Sequence, residues 1–516
     1  MRHVKFMEPE EAVALVESGS TIATGGFVGC AHPELLSSKL EERFLKIGEP
    51  QNLTLVYAAG QGDGKTRGLN HFGHEKLLKR VIGGHWNLAP AMGRLALENK
   101  IEAYNFPQGV ISHLFREIAS GSPGEITHIG LETFVDPRND GGKLNSKTKE
   151  DLVELITLNG REWLFYKAFP VHFAFLRGSF SDSFGNISFE NEVITAEALS
   201  IAQAVKNSGG KVIVQVEGTA HNYSRNPQNV RIPGILVDAV VIAKNKETHA
   251  QTFGEQFNPA YTRQGDIREL SLFPVDAGPR RIIVERALQE IAENSVVNLG
   301  IGLPEEIARI AKEKGKLTDM TFTVESGPIG GLPAGGLSFG ASSYPEAIID
   351  QPYMFDFYDG GGLDIAFLGL AECDRFGNVN VSKFNGRVAG VGGFMNITQT
   401  AAKVVFTGTF TAGGLEVEIK NGKLKILKEG KINKFLKDVE HITFSGNYAK
   451  RKGQQVMYIT ERAVFELGKD GMTLTEIAPG IDIDKDIRSQ MSFCPIISKN
   501  LKEMILKEKE SQTVYA

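Results

Sequence analysis

Short apolar runs, rich in β-branched residues, alternate along the chain with helical patterns. Residues 53–58, 211–217, 238–242, 321–324 and 403–406 read as strands, and several are apolar on both faces, as strands inside parallel sheets are. Between them lie helical periodicities at 34–45, 195–206, 285–293 and 304–314. Pro304 followed by Glu305 and Glu306 is a good helix start, since proline suits the first turn and acids suit the positive end of the helix dipole. This alternation predicts an α/β fold with mainly parallel sheet. Residues 409–458 differ: Gly413-Gly414, Lys420-Asn421-Gly422 and Gly446-Asn447 separate short alternating runs, which predicts antiparallel hairpins. The tail, 500–516, is charged and helix-prone, and is expected to form a surface helix.

The pattern repeats. Ala174-Phe175-Leu176 followed by Asp182-x-Phe184-Gly185-Asn186 recurs as Ala366-Phe367-Leu368 followed by Asp374-x-Phe376-Gly377-Asn378, seven identities in one register. A weaker echo relates Ser20, Gly25-Gly26-Phe27 and Pro33-Glu34 to Ser295, Gly300-Ile301-Gly302-Leu303 and Pro304-Glu305. Two related halves are expected, with the polar stretch 245–269 as linker and the boundary near 270–278. Asp, Gly and Asn favour turns, so the repeated D-x-F-G-N piece is expected to shape a hairpin, not to do chemistry.

Composition narrows the function. The 516 residues are 41% hydrophobic and 23% charged with a formal charge of −5, which gives no electrostatic case for nucleic acid. Cys30, Cys373 and Cys494 are far apart, so neither a disulfide framework nor a zinc site is expected. The first residues carry no signal-peptide pattern, and no apolar run has transmembrane length, so a cytoplasmic protein is expected.

The strand at 321–324 runs directly into Glu325-Ser326-Gly327-Pro328-Ile329-Gly330-Gly331. A carboxylate at the carboxyl end of a buried strand sits where open α/β sheets place their sites. The following turn has little side-chain bulk, so a large substrate could approach and backbone N–H groups could meet an oxyanion. A turn-stabilising or helix-capping glutamate fits the same position, and spacing alone does not choose.

Val324-Glu325-Ser326-Gly327 resembles the active-site signature of family I CoA transferases, specifically the single-chain acetate/propionate CoA-transferase type. Other segments are similar in the same order. These are Ala23-Thr24-Gly25-Gly26-Phe27-Val28-Gly29, Asn105-Phe106-Pro107-Gln108-Gly109, Val297-Asn298-Leu299-Gly300-Ile301-Gly302-Leu303-Pro304 and Gly390-Val391-Gly392-Gly393. The related succinyl-CoA:3-ketoacid enzymes read S-E-N-G where this chain has V-E-S-G. Their G-x-P after G-G-F is two residues longer here, at Gly29-Cys30-Ala31-His32-Pro33, which favours the short-chain branch.

The resemblance implies two related α/β domains, residues 1–274 and 275–516, the second carrying the catalytic Glu325, with the active site at their interface. It implies ping-pong transfer of CoA between short-chain acyl-CoA and free carboxylates through a glutamyl-CoA thioester on Glu325. Gln108, Gly392 and Gly393 are the expected oxyanion and substrate contacts. Gly26, Ser326, Gly327, Gly300 and Gly302 are expected to leave room for CoA, and Gly330–Gly336 to form a loop over the site. CoA is a substrate; no cofactor, metal, nucleic acid or membrane partner is expected, and a homo-oligomer, dimer or tetramer, is. Rival functions are acyl-CoA hydrolysis on the same glutamate and a non-catalytic metabolite-binding regulator; no basic helix-turn-helix pattern supports the latter.

Other signals are weaker. Gly60-Gln61-Gly62-Asp63-Gly64-Lys65-Thr66 resembles a phosphate loop, but Ala59 stands where its first glycine is required. It could still contact substrate or CoA phosphates. Glu305 replaces the last glycine of a dinucleotide fingerprint at Gly300-Ile301-Gly302. His71, His74 and His85 lack a completing carboxylate pattern and read as core or surface histidines, and Cys373 reads as structural.

Overall fold

Strands that are apolar on both faces must be covered on both, and here they pair side by side in parallel. The computed structural model describes residues 3–506. Eight strands form one all-parallel sheet: β1 (Lys5–Phe6), β2 (Thr21–Thr24), β3 (Leu53–Tyr57), β4 (Leu78–Gly83), β5 (Glu102–Asn105), β6 (Phe173–Arg177), β7 (Lys211–Val216) and β8 (Ala239–Ile242). Their spatial order is β1-β8-β7-β6-β2-β3-β4-β5. Winding reverses between β2 and β6, which leaves a crevice at the carboxyl ends of the strands, the usual ligand position in such sheets.

Four helices matter for the site. The helix α1 (Glu34–Ile47) stops at Gly48, and α2 (Gln108–Ser120) stops at Gly121; both glycines take the left-handed conformation that closes a helix. α2 packs along α3 (Ala198–Asn207) and α4 (Gln351–Asp359). One core beneath the sheet joins Leu36 and Leu40 of α1 to Ile22, Leu55, Tyr57, Val81, Phe175 and Ile213.

Compactness does not follow the linear division at 274/275. The first compact unit holds residues 1–267, 322–360 and 382–397; the second holds 268–321, 361–381 and 398–516. In the second unit, Ser295–Leu299, Ile365–Gly369, Lys403–Thr407 and Gln455–Ile459 pair in parallel. Ala463–Gly468 and Gly471–Ile477 follow antiparallel, and Ile496–Glu503 closes the edge in parallel.

The repeated turn has the same hydrogen bonding at both places. Asp182 Oδ1 accepts from the Phe184 and Asn186 N–H groups, Asn186 Nδ2 donates back to Asp182 Oδ2, and Asn186 Oδ1 accepts from Gly234 N–H. Asp374, Phe376, Asn378 and Gly446 repeat every one of these bonds. Each turn closes a small antiparallel hairpin, so its role is architectural. Cys373, just before the second turn, is buried, and burial pushes its thiol far above the usual range.

Several expectations are corrected. The tail expected to be helical is strand through Glu503, because pairing with Gly471–Ile477 overrides helix propensity; residues 507–516 of that expectation lie outside the described residues. The helix expected at 285–293 is Pro279–Leu288, with Pro279 in its first turn. In the stretch expected as linker, 245–269, His249, Gln251, Thr252, Ala260 and Tyr261 are buried, and the rest is half-buried or exposed. The region 409–458 has its expected hairpin, Glu416–Lys420 with Lys423–Lys428, but also a helix, Gly446–Lys452, and a parallel strand.

Candidate active site

A tight turn at the end of β9 (Met320–Thr323) presents Glu325. Val324 N–H donates to Pro328 O at 3.0 Å and Gly327 N–H to Val324 O at 3.0 Å. Gly327 has φ +133° and a Cβ there would lie 2.1 Å from Ile349 O, so only glycine closes this turn. Ser326 Oγ donates to Gly340 O at 2.6 Å, and Tyr358 Oη of α4 donates to Thr323 Oγ1 at 2.8 Å. These bonds hold the glutamate-bearing turn from both sides. Glu325 itself is 8% exposed.

A second loop meets this carboxylate. Asn105, at the end of β5, donates through Nδ2 to Gly83 O at 2.8 Å and accepts Val391 N–H on Oδ1 at 3.0 Å. Gly392 N–H donates to Gly84 O at 2.8 Å, and Gly392 O accepts the Gln108 N–H at 2.9 Å. Residues 391–393 are thereby fastened across the carboxyl ends of β4 and β5 and against the first turn of α2. A Cβ on Gly393 would stand 3.2 Å from Glu325 Cγ and 3.4 Å from its Oε1. A Cβ on Gly392 would fall between His85 Cβ at 3.7 Å and Gln108 Oε1 at 3.8 Å. Residues from both linear halves of the chain therefore meet inside the first compact unit.

The expected residues are placed unequally. Glu325, Gln108, Gly392 and Gly393 converge. The Gly392 N–H is engaged by Gly84, so it is not the spare donor that was expected; Gly393 is the backbone group against the carboxylate. Gly26, at φ +139°, is packed against Cys30 O of its own turn. Gly300 and Gly302 belong to the second unit, where Gly300 faces Leu368 Cδ2 and the Gly302 N–H donates to Glu305 Oε1 at 2.7 Å. The glycine-rich stretch after the site is a small hairpin, Leu332–Pro333 with Ser342–Ser343, and only Gly335 and Gly336 at its tip are exposed.

Other residues join the site unannounced by any motif. His85 lies against Gly392, and loss of water around its ring pushes the imidazole down to about 4, so it is neutral at physiological pH. Gln351 and Glu197 stand behind Gln108: Gln108 Nε2 is 3.0 Å from Gln351 Oε1, and Gln351 Nε2 is 3.1 Å from Glu197 Oε2. Asn396 accepts the Gly109 N–H at 3.2 Å and donates to Asp359, fixing the start of α2. The loop resembling a phosphate cradle is closed by its own acid, since Asp63 Oδ1 accepts the Lys65, Thr66 and Arg67 N–H groups. His71 bonds Glu34 and Glu41, and His74 bonds Glu41, so both sit in an ion network.

Glycine at 393 is testable. Gly393→Ala pushes a methyl into the Glu325 carboxylate and is expected to lower kcat about 10²-fold by misplacing the attacking oxygen, with the unfolding midpoint little changed. Steady-state kinetics beside a thermal melt check this; wild-type kcat would exclude the close approach as functional.

Three comparisons bear on this geometry. A family profile described as Coenzyme A transferase matches residues 6–243. The chain is 48% identical over 507 residues to a caffeate CoA-transferase of Acetobacterium woodii, covering 97% of this chain and 96% of that protein. It is 43% identical over 506 residues to the acetate CoA-transferase YdiF of Escherichia coli K12, covering 97% and 94%. Among solved structures, the acyl-CoA transferase YdiF of E. coli O157:H7, in a thioester complex with CoA, matches with TM-score 0.91 and 42% identity over 97% of this chain and 95% of that one.

Proposed function

Because the chain belongs to the coenzyme A transferase family, we propose that it moves CoA between short-chain acyl-CoA and free carboxylic acids through a thioester on Glu325. The observation that carries this reading is the Glu325 carboxylate held on a rigid turn against a side-chain-free backbone at Gly393.

The Glu325 carboxylate attacks the thioester carbonyl of the donor. The C–S bond breaks, leaving an acyl-glutamyl anhydride and CoA thiolate. The thiolate attacks the glutamyl carbonyl, the donor acid departs as carboxylate, and glutamyl-CoA remains. An acceptor carboxylate then attacks that thioester and the same steps run in reverse to a new acyl-CoA. No net proton is consumed. Each addition develops an oxyanion, for which the Gly393 N–H and the Gln108 amide are the proposed donors; one such donor contributes roughly 10²–10³ in rate. Gly26, Ser326 and Gly327 leave room for the approaching CoA, with the Ser326 hydroxyl engaged by Gly340 O and the Gly327 N–H by Val324 O. His85, neutral, adds no charge that would repel or trap the incoming thiolate.

Acetate and propionate are the proposed acids, supported by the resemblance and by the likeness to YdiF. The likeness to a caffeate CoA-transferase supports a second reading, in which a bulkier acid is accepted. A cytoplasmic homo-oligomer completes the proposal.

Mass spectrometry after incubation with acetyl-CoA alone tests the covalent step. Covalent CoA on the peptide holding Glu325, reducible by borohydride, is expected. An unmodified peptide with full transfer activity overturns the mechanism. Steady CoA release without any acceptor acid would point to hydrolysis instead.

A further inference from the structure

Behind Gln108 runs a buried row of polar groups whose hydrogen-bond direction is set at its far end. Gln108 stands on α2, Gln351 opens α4, and Glu197 directly precedes α3. Gln351 N–H is anchored on Ala196 O at 2.9 Å, and its side-chain Nε2 is 2.9 Å from Ser112 Oγ and 3.1 Å from Glu197 Oε2. Gln351 Oε1 faces Gln108 Nε2 at 3.0 Å. Glu197 is 1% exposed, and its second oxygen, Oε1, is buried without a hydrogen-bond partner.

Two proton arrangements fit these heavy-atom positions, because a glutamine amide can turn over by half a rotation. With Glu197 ionised, donors run from Gln108 through Gln351 to the carboxylate. Gln108 then turns its carbonyl toward Gly392, offering an acceptor where a developing oxyanion would need a donor. With Glu197 protonated, its O–H donates to the Gln351 carbonyl, whose second lone pair takes the Ser112 hydroxyl. The row reverses, and Gln108 turns an N–H toward Gly392. Only the second arrangement supplies the donor that acyl transfer needs.

The surroundings choose it. An ionised carboxylate buried with an orphaned oxygen and no cation beside it is costly, whereas a neutral acid needs one acceptor for its proton. The charged groups on the packed elements are engaged elsewhere. His113 and Arg116 of α2 pair with Asp356 of α4, and Asp359 takes the Asn396 amide; Arg177 of β6 pairs with Glu192, and Lys206 of α3 with Asp238. Burial therefore dominates and pushes the Glu197 carboxyl up to about 8, opposed only by its own backbone N–H.

We propose that Glu197 is a positioning residue that stays protonated through the catalytic cycle and, by way of Gln351, points the N–H end of the Gln108 amide into the active site. This rests on the assignment of Gln108 to the oxyanion; the infrared arm of its test does not. At neutral pH the proton is present; as pH rises through about 8, Glu197 ionises, the row reverses and the donor is withdrawn.

The test combines a pH profile with infrared difference spectroscopy of the full-length enzyme, using acetyl-CoA and propionate. Wild-type kcat/KM is expected to fall about tenfold per pH unit above this ionisation. Glu197→Gln, whose amide N–H imitates the acid proton, is expected to lose that fall. Glu197→Leu, which leaves the row undirected, is expected to drop at neutral pH toward the level of Gln108→Leu, about 10²-fold. The infrared spectrum of the native enzyme is expected to show a protonated carboxylic acid that titrates with the activity and is missing from Glu197→Gln. An unchanged alkaline fall in Glu197→Gln, or a native spectrum without that acid band, overturns the proposal. Covalent CoA on Glu325 beside a pH-silent Glu197 sinks this inference alone.

Discussion

Glu325→Gln is expected to lower kcat/KM for acetyl-CoA and propionate by about 10⁴-fold or more, the scale on which removing a covalent nucleophile acts. The amide keeps the size and shape of the side chain, so the turn held by Val324, Gly327 and Ser326 persists and binding of acyl-CoA survives. What disappears is an oxygen with charge to donate. Kinetics and mass spectrometry on one preparation separate the alternatives: a properly folded variant that binds CoA but neither forms the adduct nor transfers is the expected result. Retained transfer would remove Glu325 from the chemistry. Glu325→Asp withdraws the carboxylate by one methylene and is expected to lose about 10²-fold through misplacement.

Arg462→Ala is expected to destabilise the second unit by about 3–5 kcal/mol, the cost of stranding a buried charge. Arg462 and Glu461 side chains are both 0% exposed and meet at 2.7 Å. The guanidinium also reaches Glu429 at 2.8 Å and Asp486 O at 3.0 Å and lies 4.9 Å above the Phe410 ring. Without it, Glu461 keeps the Phe410 N–H and the charge of the buried Lys434 nearby, and Glu429 loses its charge partner. Denaturant unfolding of the variant checks this; a shift under 1 kcal/mol would mean that water enters and takes the guanidinium's place. Replacing Arg462 and Glu461 together by apolar residues is expected to cost less than Arg462→Ala alone.

Much of the fold was legible in the sequence because burial on both faces of a parallel strand leaves an unbroken apolar run. Leu53–Tyr57, Lys211–Val216 and Lys403–Thr407 each lie within a residue of their expected bounds. The strand end and the glycines after it made Glu325 a candidate, but the resemblance and not the spacing singled it out. What stayed hidden depends on partners distant in sequence. Nothing local to Gln351 or Glu197 shows that α4 and α3 bring them behind Gln108. His85 looked like any buried histidine until the 390–393 loop came to rest on it. A local signal existed for Asn105, a polar residue ending a buried strand, where an uncompensated amide would be costly. The tail misled because lysine, glutamate and leucine suit a helix, while the edge of a sheet imposed a strand.

The chain visits the first compact unit three times, and the last visit ends at residue 397. During synthesis the eight-stranded sheet is complete once Ile242 has left the ribosome, but it lacks Glu325 and the 391–393 loop until roughly 150 more residues emerge. A nascent or truncated product ending near residue 267 thus carries the parallel sheet without the proposed nucleophile. On the proposed mechanism, the reacting group is added late in translation, after most of the scaffold has had time to form.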